Sequence, residues 1–467
     1  MMKVSFIYTP NQRVNRCYYT EKIWKNYSEN AIQLPNLGMA YLAGLLREKG
    51  FDVQFIDANV LNLAKEEIIA RLNDFKPEYL LYSSITDNFQ DTLSWIEEIK
   101  QDYNKPVIIG GPHMEIFPEE TLTYDCIDYG VIGDGWETLP ELLSALNDKK
   151  DISEVKGVCF RKDGKVVVTD PRPKHVGLED VPFPARDLLP NEKYDTVLSK
   201  KRPITTMITT LGCPFRCTYC CTETKIRSRS AEHIVAEIEE CINRYGIKEI
   251  EFYDETFTID KKRMFKVLDL IEEKGLDFLW SIRTRADCVN REMIQRMAKA
   301  GCMRINYGIE SADEKILESI NRDIPPQMIK DAVKWSREAG ITVFGFFMIG
   351  LPGDTKESIE KTLDLMVELD LDFVQLNKFV PIPKSEIYED IKRDTGEDFW
   401  RDYTLGKVDL GDFKPYRIHV SPQELDDYLD KGYKMFYYRP KYIWQKLLSV
   451  RSFRELCRMA SAALSLK

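Results

Sequence analysis

Four of the chain's eleven cysteines lie within nine positions, inside the stretch TTLGCPFRCTYCCTET at residues 209–224. Cys213, Cys217 and Cys220 follow the spacing C-x3-C-x2-C, and Cys221 stands directly after the third of them. Cysteine thiolates are the usual ligands of iron–sulfur clusters, and three thiolates on a four-iron cube leave one iron open to an outside molecule. The spacing therefore predicts a loop that holds a reactive 4Fe-4S cluster, with Cys221 as a bystander outside the ligand set.

Other uses of these cysteines stay open on the spacing alone. A structural zinc site is closed by four tetrahedral ligands, and no second cysteine pair or histidine pair stands at finger-like spacing. A cluster used only for electron transfer, and three core cysteines that share a loop by coincidence, are further alternatives. Clustered cysteines in a long chain without a secretion signal favour metal or catalytic use over disulfides.

Further polar residues follow the apolar runs downstream of the cysteine loop. Helical patterns separate six predicted strands, near 204–210, 248–254, 278–284, 303–310, 341–349 and 372–380. Six βα units predict a barrel or partial TIM barrel, whose ligand site lies at the carboxyl ends of the strands. The candidate ligand-holding residues at those ends are Asp254, Glu255, Arg283, Arg285, Glu310, Ser311 and Gly350. Carboxylates can hold an amino group or a ribose diol, an arginine fork matches a carboxylate, and surface salt bridges are the alternative interpretation.

The first part of the chain repeats the strand and helix alternation without a cysteine cluster. Short apolar runs stand at 3–8, 52–57, 79–84 and 106–110. This alternation predicts a parallel sheet covered on both faces, which is a doubly wound, Rossmann-like α/β domain. Four glycines near its strand ends would let the backbone lie close against a flat ligand: Gly110, Gly111, Gly133 and Gly135.

Length and composition limit the class of protein. At 467 residues the chain exceeds what one hydrophobic core usually supports, so two or more domains are expected. No window approaches the roughly 18 uninterrupted apolar residues of a membrane span, and the start MMKVSFIYTP lacks the pattern of a secretion signal. A net charge of −10 gives no support for a general nucleic-acid surface. We expect a cytoplasmic protein without a nucleic-acid partner.

Four stretches organise the chain. Their expected bounds are 1–148 for the doubly wound domain, 149–200 for a connector, 201–385 for the partial barrel and 386–467 for a helical C-terminal region. The connector contains a hairpin with an Asp-Gly turn, followed by the proline-rich segment VPFPARDLLP. Basic and apolar residues alternate at helical intervals over 440–467. That pattern predicts helices that cap the barrel or lie peripherally on an anionic membrane surface.

The cysteine spacing after the first barrel strand resembles that of the radical S-adenosylmethionine enzymes. The segments FYDETFT, GIESADEKIL, GFFMIGLPGDT and VPFPARDLLP resemble the branch that includes the anaerobic oxidative cyclase of bacteriochlorophyll synthesis and the hopanoid methylases. The resemblance implies that S-adenosylmethionine binds the open iron and is cleaved by one electron to a 5'-deoxyadenosyl radical. It adds Tyr219, inside the cysteine motif, to the strand-end residues as a candidate cofactor contact.

In that branch the N-terminal domain binds cobalamin, and two stretches here match it. They are IIGGPHMEIFPEE at 108–120 and DYGVIGDGWETLPELL at 128–143. Besides the four glycines, the implied cobalamin contacts are Thr86, Asp87, His113 and Glu137. The motif D-x-H-x-x-G, which supplies a cobalt-binding histidine in other cobalamin domains, is absent. We interpret His113 as a residue of the cofactor edge or of the packing, and expect no histidine on the lower face of cobalt.

The resemblance implies a C-methyltransferase that acts on an unactivated carbon through methylcobalamin and the deoxyadenosyl radical. A cobalamin-assisted radical oxidation or ring closure without methyl transfer is the alternative reaction. A cobalamin and iron–sulfur sensor without catalysis is the alternative of another class. The implied partners are a small-molecule or lipid-like substrate and a reducing donor such as flavodoxin or ferredoxin.

Overall fold

Two largely parallel sheets, one in each half of the chain, place the candidate residues at their carboxyl edges. The computed structural model describes residues 1–10, 18, 33–174 and 177–449, and for 445–449 the backbone alone. The first sheet has seven strands in the order β2-β1-β3-β4-β5-β6-β7. They are β1 (Lys3–Tyr8), β2 (Asp52–Asp57), β3 (Tyr79–Ser83), β4 (Val107–Gly110), β5 (Tyr129–Val131), β6 (Val158–Lys162) and β7 (Lys165–Val168).

Helices cover both faces of this sheet, as the alternation predicts. They are α1 (Leu37–Glu48), α2 (Lys65–Phe75), α3 (Phe89–Asp102), the short α4 (Pro118–Thr121) and α5 (Thr138–Asn147). Successive strand residues point to opposite faces: Phe6 belongs to one buried cluster and Ile7 to the other. Strands β1 to β5 pair in parallel, which places their carboxyl ends on one edge.

The hairpin β6–β7, which lies in the segment 149–200 that the sequence predicts as a connector, extends the first sheet. Its strand β6 pairs antiparallel with β5. Its Asp163 and Gly164 have φ values of 52° and 73°, the left-handed pair of a tight hairpin turn. Because β5 would otherwise present an unpaired edge, the hairpin supplies the missing hydrogen-bond partners.

The second sheet is a six-stranded parallel array in sequential order, β8-β11-β12-β13-β14-β15. Its members are β8 (Ile204–Met207), β11 (Glu249–Phe252), β12 (Leu279–Thr284), β13 (Cys302–Glu310), β14 (Thr342–Ile349) and β15 (Phe373–Lys378). Two short strands pair across the ends of the cysteine loop, β9 (Thr210–Leu211) and β10 (Arg227–Ser228). The barrel helices are α6 (Ala231–Tyr245), α7 (Lys261–Glu273), α8 (Arg291–Lys299), α9 (Glu314–Ser319), α10 (Pro326–Glu338) and α11 (Lys356–Glu368).

Four further helices follow the barrel: α12 (Glu386–Thr395), α13 (Phe399–Thr404), α14 (Pro422–Tyr437) and α15 (Pro440–Ser449). Helix α14 lies along the edge strand β15. Tyr433 Oη lies 3.2 Å from both the N and the O of Leu376, and Tyr437 donates to Val374 O at 2.9 Å. An open barrel leaves the backbone groups of its last strand unpaired, and these tyrosine hydroxyls pair with them.

Helix α13 returns to the first domain. Gln90 donates to Tyr403 O at 2.8 Å, and Tyr124 donates to Thr404 O at 2.7 Å. The helical C-terminal region therefore contacts both domains. Among the described residues no helix is both long and apolar enough to span a bilayer.

A buried carboxylate joins the first domain, the connector and the barrel. Glu237 of α6 accepts from Arg186 at 2.6 Å, from Arg229 at 2.5 Å and from the Tyr41 hydroxyl at 3.4 Å. Arg186 comes from VPFPARDLLP, and also donates to Thr206 O of β8 at 2.8 Å. Burial alone would raise the pKa of Glu237, and the two guanidinium groups reverse this effect and lower it.

We therefore expect Glu237→Gln to destabilise the protein by about 3–5 kcal/mol, because it leaves two buried guanidinium groups short of negative charge. Urea unfolding followed by circular dichroism measures the change. Glu232→Gln on the same helix is the matched control, since it removes an exposed carboxylate paired with Lys266 and is expected to have little effect. Equal unfolding midpoints for the two variants would contradict the role of Glu237.

Candidate functional site

The cysteine loop is closed at its base by backbone contacts. Cys213 N donates to Glu223 O at 2.8 Å, and Cys220 N donates to Cys217 O at 3.0 Å. Gly212 has a φ of 89°, and a Cβ there would collide with the carbonyl oxygen of Lys225. Only glycine allows the chain to turn back so closely at this point.

The three predicted ligand cysteines are partly buried, and Cys221 is exposed. Thr256 Oγ1 lies 3.7 Å from Cys213 Sγ, and Thr222 donates its backbone N–H to Cys220 Sγ at 3.4 Å. The thiol of Cys217 meets two guanidinium groups, 3.7 and 3.8 Å away. Hydroxyl, N–H and guanidinium groups can donate hydrogen bonds to the sulfurs of an iron–sulfur cluster, so the surroundings of the three thiols fit a cluster.

A single-ion site is not built from the described residues. Among them, no group of three or more His, Cys, Asp or Glu side chains is arranged to hold one metal ion. A structural zinc site needs four such donors around one point. Three thiols at a loop, without a fourth such ligand, suit a cluster that keeps one iron open.

Tyr219 and Glu310 come together beside the cysteine loop. Tyr219 donates to Glu310 Oε1 at 3.2 Å, and Arg322 donates to the Tyr219 hydroxyl at 3.1 Å. Glu310 has a φ of 68°, rare for a residue with a side chain, and burial raises its pKa. Arg322 is not among the residues predicted from the sequence. It lies shortly after α9, belongs to no recognisable motif, and contacts the cysteine loop only because the fold brings the two together.

Three of the strand-end candidates support the backbone of the site. Asp254 is completely buried and accepts from Thr209 N at 2.7 Å. The Ser311 hydroxyl lies 3.1 Å from that of Thr362 on α11. Gly350 has a φ of 85°, and a Cβ there would press on Leu425 of α14 at 3.1 Å. These contacts hold the strand ends in position.

The other strand-end candidates present charged groups. Glu255 is exposed at the end of β11. The Arg283 guanidinium lies 4.0 Å from the ring centroid of Tyr253 and 3.7 Å from Glu251, and its buried Nε has no hydrogen-bond partner in the described part of the chain. Arg285 gives two of its donors to Asp287, at 2.9 and 2.8 Å. Arg283 therefore retains an N–H donor that a bound ligand could use. Arg285 has two fewer N–H donors for a ligand, because they bond to Asp287.

The carboxyl edge of the first sheet contains the predicted glycines. Gly111 has a φ of 94°, and a Cβ there would lie 2.6 Å from Ser83 Oγ and from the carbonyl oxygen of Ser84. Gly133 has a φ of 90° and faces open space, and Gly135 has a φ of 75°. Gly110, at the end of β4, has ordinary contacts only. The left-handed positions require glycine, which leaves an edge with little side-chain bulk.

His113 lies inside the domain and packs against its neighbours. The residue is completely buried, and its ring stacks on Phe89 with centroids 4.1 Å apart. Nδ1 lies 3.2 Å from Thr86 Oγ1, and Nε2 lies 3.0 Å from Thr121 Oγ1. Burial lowers the pKa of His113 to about 3. Both ring nitrogens of His113 therefore have hydroxyl partners inside the domain, and one of these partners is Thr86.

Asp87 provides the test of whether this edge suits a polar cofactor. Its Oδ1 is buried without a hydrogen-bond partner among the described residues, and burial raises its pKa to about 6. An orphaned acceptor of this kind suits a bound molecule with amide donors. The Glu137 carboxylate, in contrast to that of Asp87, has a charged partner, because Arg172 Nη1 lies 3.1 Å from its Oε2. The glycine edge and Asp87 together fit cobalamin, which carries amide side chains.

Known protein families match both the barrel that carries the cysteine loop and the first domain that carries the glycine edge. The radical SAM superfamily model matches residues 207–366, and the B12 binding domain model matches residues 31–143. The chain is 33% identical over 428 residues to an uncharacterized methyltransferase of Pyrococcus horikoshii, an alignment that covers 90% of this chain and 91% of that one. The chain belongs to the cobalamin-binding radical S-adenosylmethionine family.

Other relatives of this radical S-adenosylmethionine protein differ in reaction. It is 26% identical to the anaerobic magnesium-protoporphyrin IX monomethyl ester cyclase of Rubrivivax gelatinosus, over 88% of this chain and 74% of that one. It is 24% identical to the hopanoid C-3 methylase of Methylococcus capsulatus, over 81% and 72%. The fold matches the methyltransferase TsrM of Kitasatospora setae, solved with cobalamin and an iron–sulfur cluster, with a TM-score of 0.68, 18% identity and coverage of 84% and 78%.

We expect anaerobically reconstituted protein to hold about four iron atoms per chain on the three-cysteine motif. The triple variant Cys213→Ala, Cys217→Ala, Cys220→Ala should lose them, because none of the three predicted ligands remains. Cys221→Ala is the control and should keep its iron, since the exposed thiol lies outside the motif. Iron and sulfide analysis decides the question, and an unchanged cluster in the triple variant would overturn the ligand assignment.

Proposed function

We propose that this protein is a cobalamin-dependent C-methyltransferase that acts on an unactivated carbon of a small molecule. The observation that carries the proposal is the 33% identity to a methyltransferase over 90% of the chain. That alignment is long enough to include both the cobalamin-binding sheet and the barrel. Residues 1–148 would bind cobalamin, and residues 201–385 would bind the cluster and S-adenosylmethionine.

When bound, the three cofactors supply a methyl group on cobalt and a carbon radical generated from S-adenosylmethionine. The protein's own residues orient these groups and keep water out. Tyr219 and Glu310 close one side of the site beside the cysteine loop. Glu255 and Arg283 offer a carboxylate and a free donor at neighbouring strand ends, which suit the amino and carboxylate groups of an amino acid moiety.

One ion pair sets the distance between the two cofactor edges. Arg227, at the end of the cysteine loop, lies 2.6 Å from Asp134, in the loop after β5 of the first sheet. Both side chains are largely buried, with exposures of 6% and 17%. A radical transfer and a methyl transfer at one carbon need both cofactors held close to it. We propose that Arg227 and Asp134 supply this alignment.

Incubation with S-adenosylmethionine labelled in its methyl group tests the proposal. Candidate substrates come from an extract of a strain that lacks the gene, and the reduced protein should transfer label into one compound while releasing deoxyadenosine. Label in a product supports methyl transfer. Deoxyadenosine release with an unlabelled product supports the alternative, a radical oxidation or ring closure, which the similarity to the cyclases favours. Absence of deoxyadenosine release would favour the other alternative, a cobalamin and iron–sulfur sensor without catalysis.

The electron for S-adenosylmethionine cleavage is proposed to come from a reduced flavodoxin or ferredoxin. A lipid-like substrate and peripheral membrane contact are proposed from α15. Its Tyr442 is buried, whereas Ile443 and Trp444 are 42% and 65% exposed. Exposed apolar side chains beside lysines suit the surface of an anionic membrane. The predicted basic stretch continues over residues 450–467, which lie outside the described residues.

Sedimentation with anionic vesicles tests the membrane contact. The full chain should pellet with vesicles at low salt and be released at high salt, because both apolar insertion and charge contribute. The double variant Ile443→Ser, Trp444→Ser should bind several-fold less. Met328→Ser is the control, because it removes from α10 an apolar side chain that is about as exposed as Ile443. It should bind vesicles like the wild type. Equal binding of all three proteins would remove the support for α15 as a membrane contact.

A further inference from the structure

The thiol of Cys217 differs from those of the other predicted ligands in the charge of its neighbours. Arg285 Nη1 lies 3.7 Å from Cys217 Sγ, and Arg322 Nη1 lies 3.8 Å from it. The contacts of the other two thiols are with hydroxyl and backbone N–H groups. Cys217 is therefore the one predicted ligand whose thiol lies beside two guanidinium groups among the described residues.

Both guanidinium groups are fixed by contacts of their own. Arg285 is held by Asp287 and lies on the ring of Phe215, 3.7 Å from its centroid. Arg322 donates to the carbonyl oxygen of Gly308 at 2.5 Å. The side chains of the two arginines are only 8% and 6% exposed. Their charges are poorly screened by water, and act strongly on a group beside them.

We propose that Arg285 and Arg322 raise the reduction potential of the iron–sulfur cluster by placing two cations against the Cys217 thiolate. Reduction adds one electron, delivered by a low-potential donor, and nearby positive charge stabilises the more negative product. Net charge, hydrogen bonds to the sulfurs and solvent exposure are the features that set such potentials. Asp287 occupies Nε and Nη2 of Arg285, and the remaining nitrogen, Nη1, is the atom that lies beside Cys217 Sγ. The inference depends on the cluster and is independent of methyl transfer.

The two arginines should contribute unequally. Asp287 contacts Arg285 at 2.8 Å, whereas Glu310 approaches Arg322 only to 3.6 Å. The charge of Arg322 is less compensated by its carboxylate neighbour, so its removal should have the larger effect.

A redox titration followed by electron paramagnetic resonance measures the potential in the full-length, reconstituted protein without S-adenosylmethionine. Arg322→Gln should lower the ratio of reduced to oxidised cluster about tenfold at a given potential, which is a shift of about 59 mV for one electron. Arg285→Gln should lower it less. Arg216→Gln is the matched control, because it removes an equal charge from the exposed part of the same loop and should leave the potential unchanged.

Lysine variants keep the test decisive if a glutamine variant takes up no cluster. Arg322→Lys and Arg285→Lys retain a cation but lose the planar fork, and their potentials should lie below the wild type. Pulsed resonance of the reduced cluster in deuterated water gives a second readout, since couplings from exchangeable protons should weaken in the arginine variants alone. Potentials and couplings equal to those of Arg216→Gln in all four variants would overturn the proposal, whether or not the protein transfers methyl groups.

Discussion

The arrangement of the two sheets depends on one buried carboxylate, Glu237, and its two guanidinium partners. A charge without water is tolerated inside a protein only where opposite charge and hydrogen bonds surround it. Arg186 from the connector and Arg229 from beside β10 meet that requirement, and Tyr41 adds a donor from the first domain. Because these partners come from separate parts of the chain, satisfying Glu237 requires the domains to pack in one relative orientation.

That orientation has a consequence just before the start of α6. The cysteine loop ends at Arg227, whose ion pair with Asp134 ties it to the glycine edge of the first sheet. The cysteine loop and the glycine edge are thereby held near each other. The proposed methyl transfer requires two cofactors to act on one substrate carbon, which independent motion of these two parts would oppose. The interdomain contacts would therefore serve the proposed function as well as the stability.

The helical C-terminal region completes both domains. Helix α14 pairs its tyrosine hydroxyls with the open edge of β15, and α13 approaches the loop after β3, where Tyr403 donates to Asp87 O at 3.0 Å. This loop carries Asp87, whose Oδ1 has no hydrogen-bond partner in the described part of the chain. A region that follows the barrel in sequence thus supports the proposed cobalamin edge, which lies more than 300 positions earlier in the chain.

The sequence by itself determined the strands and helices, because apolar periodicity is a local property. The barrel strands lie within a few residues of their predicted positions, and β13, predicted near 303–310, is Cys302–Glu310. The cysteine motif was equally readable, since its three ligands lie within eight positions. For His113 the sequence leaves open a place at the cofactor edge or in the packing, and in the structure a threonine hydroxyl lies beside each of its ring nitrogens.

Only the tertiary structure decided which side chains meet. Arg322 stands 105 positions from Cys217, and Gln90 stands 313 positions from Tyr403, so no local pattern marks either pair. The sequence predicts the hairpin β6–β7 from its Asp-Gly turn, because turn chemistry is local, but its pairing with β5 is a long-range contact that only the fold shows. Contacts of this kind depend on where parallel strands end in space, which the order of residues alone does not specify.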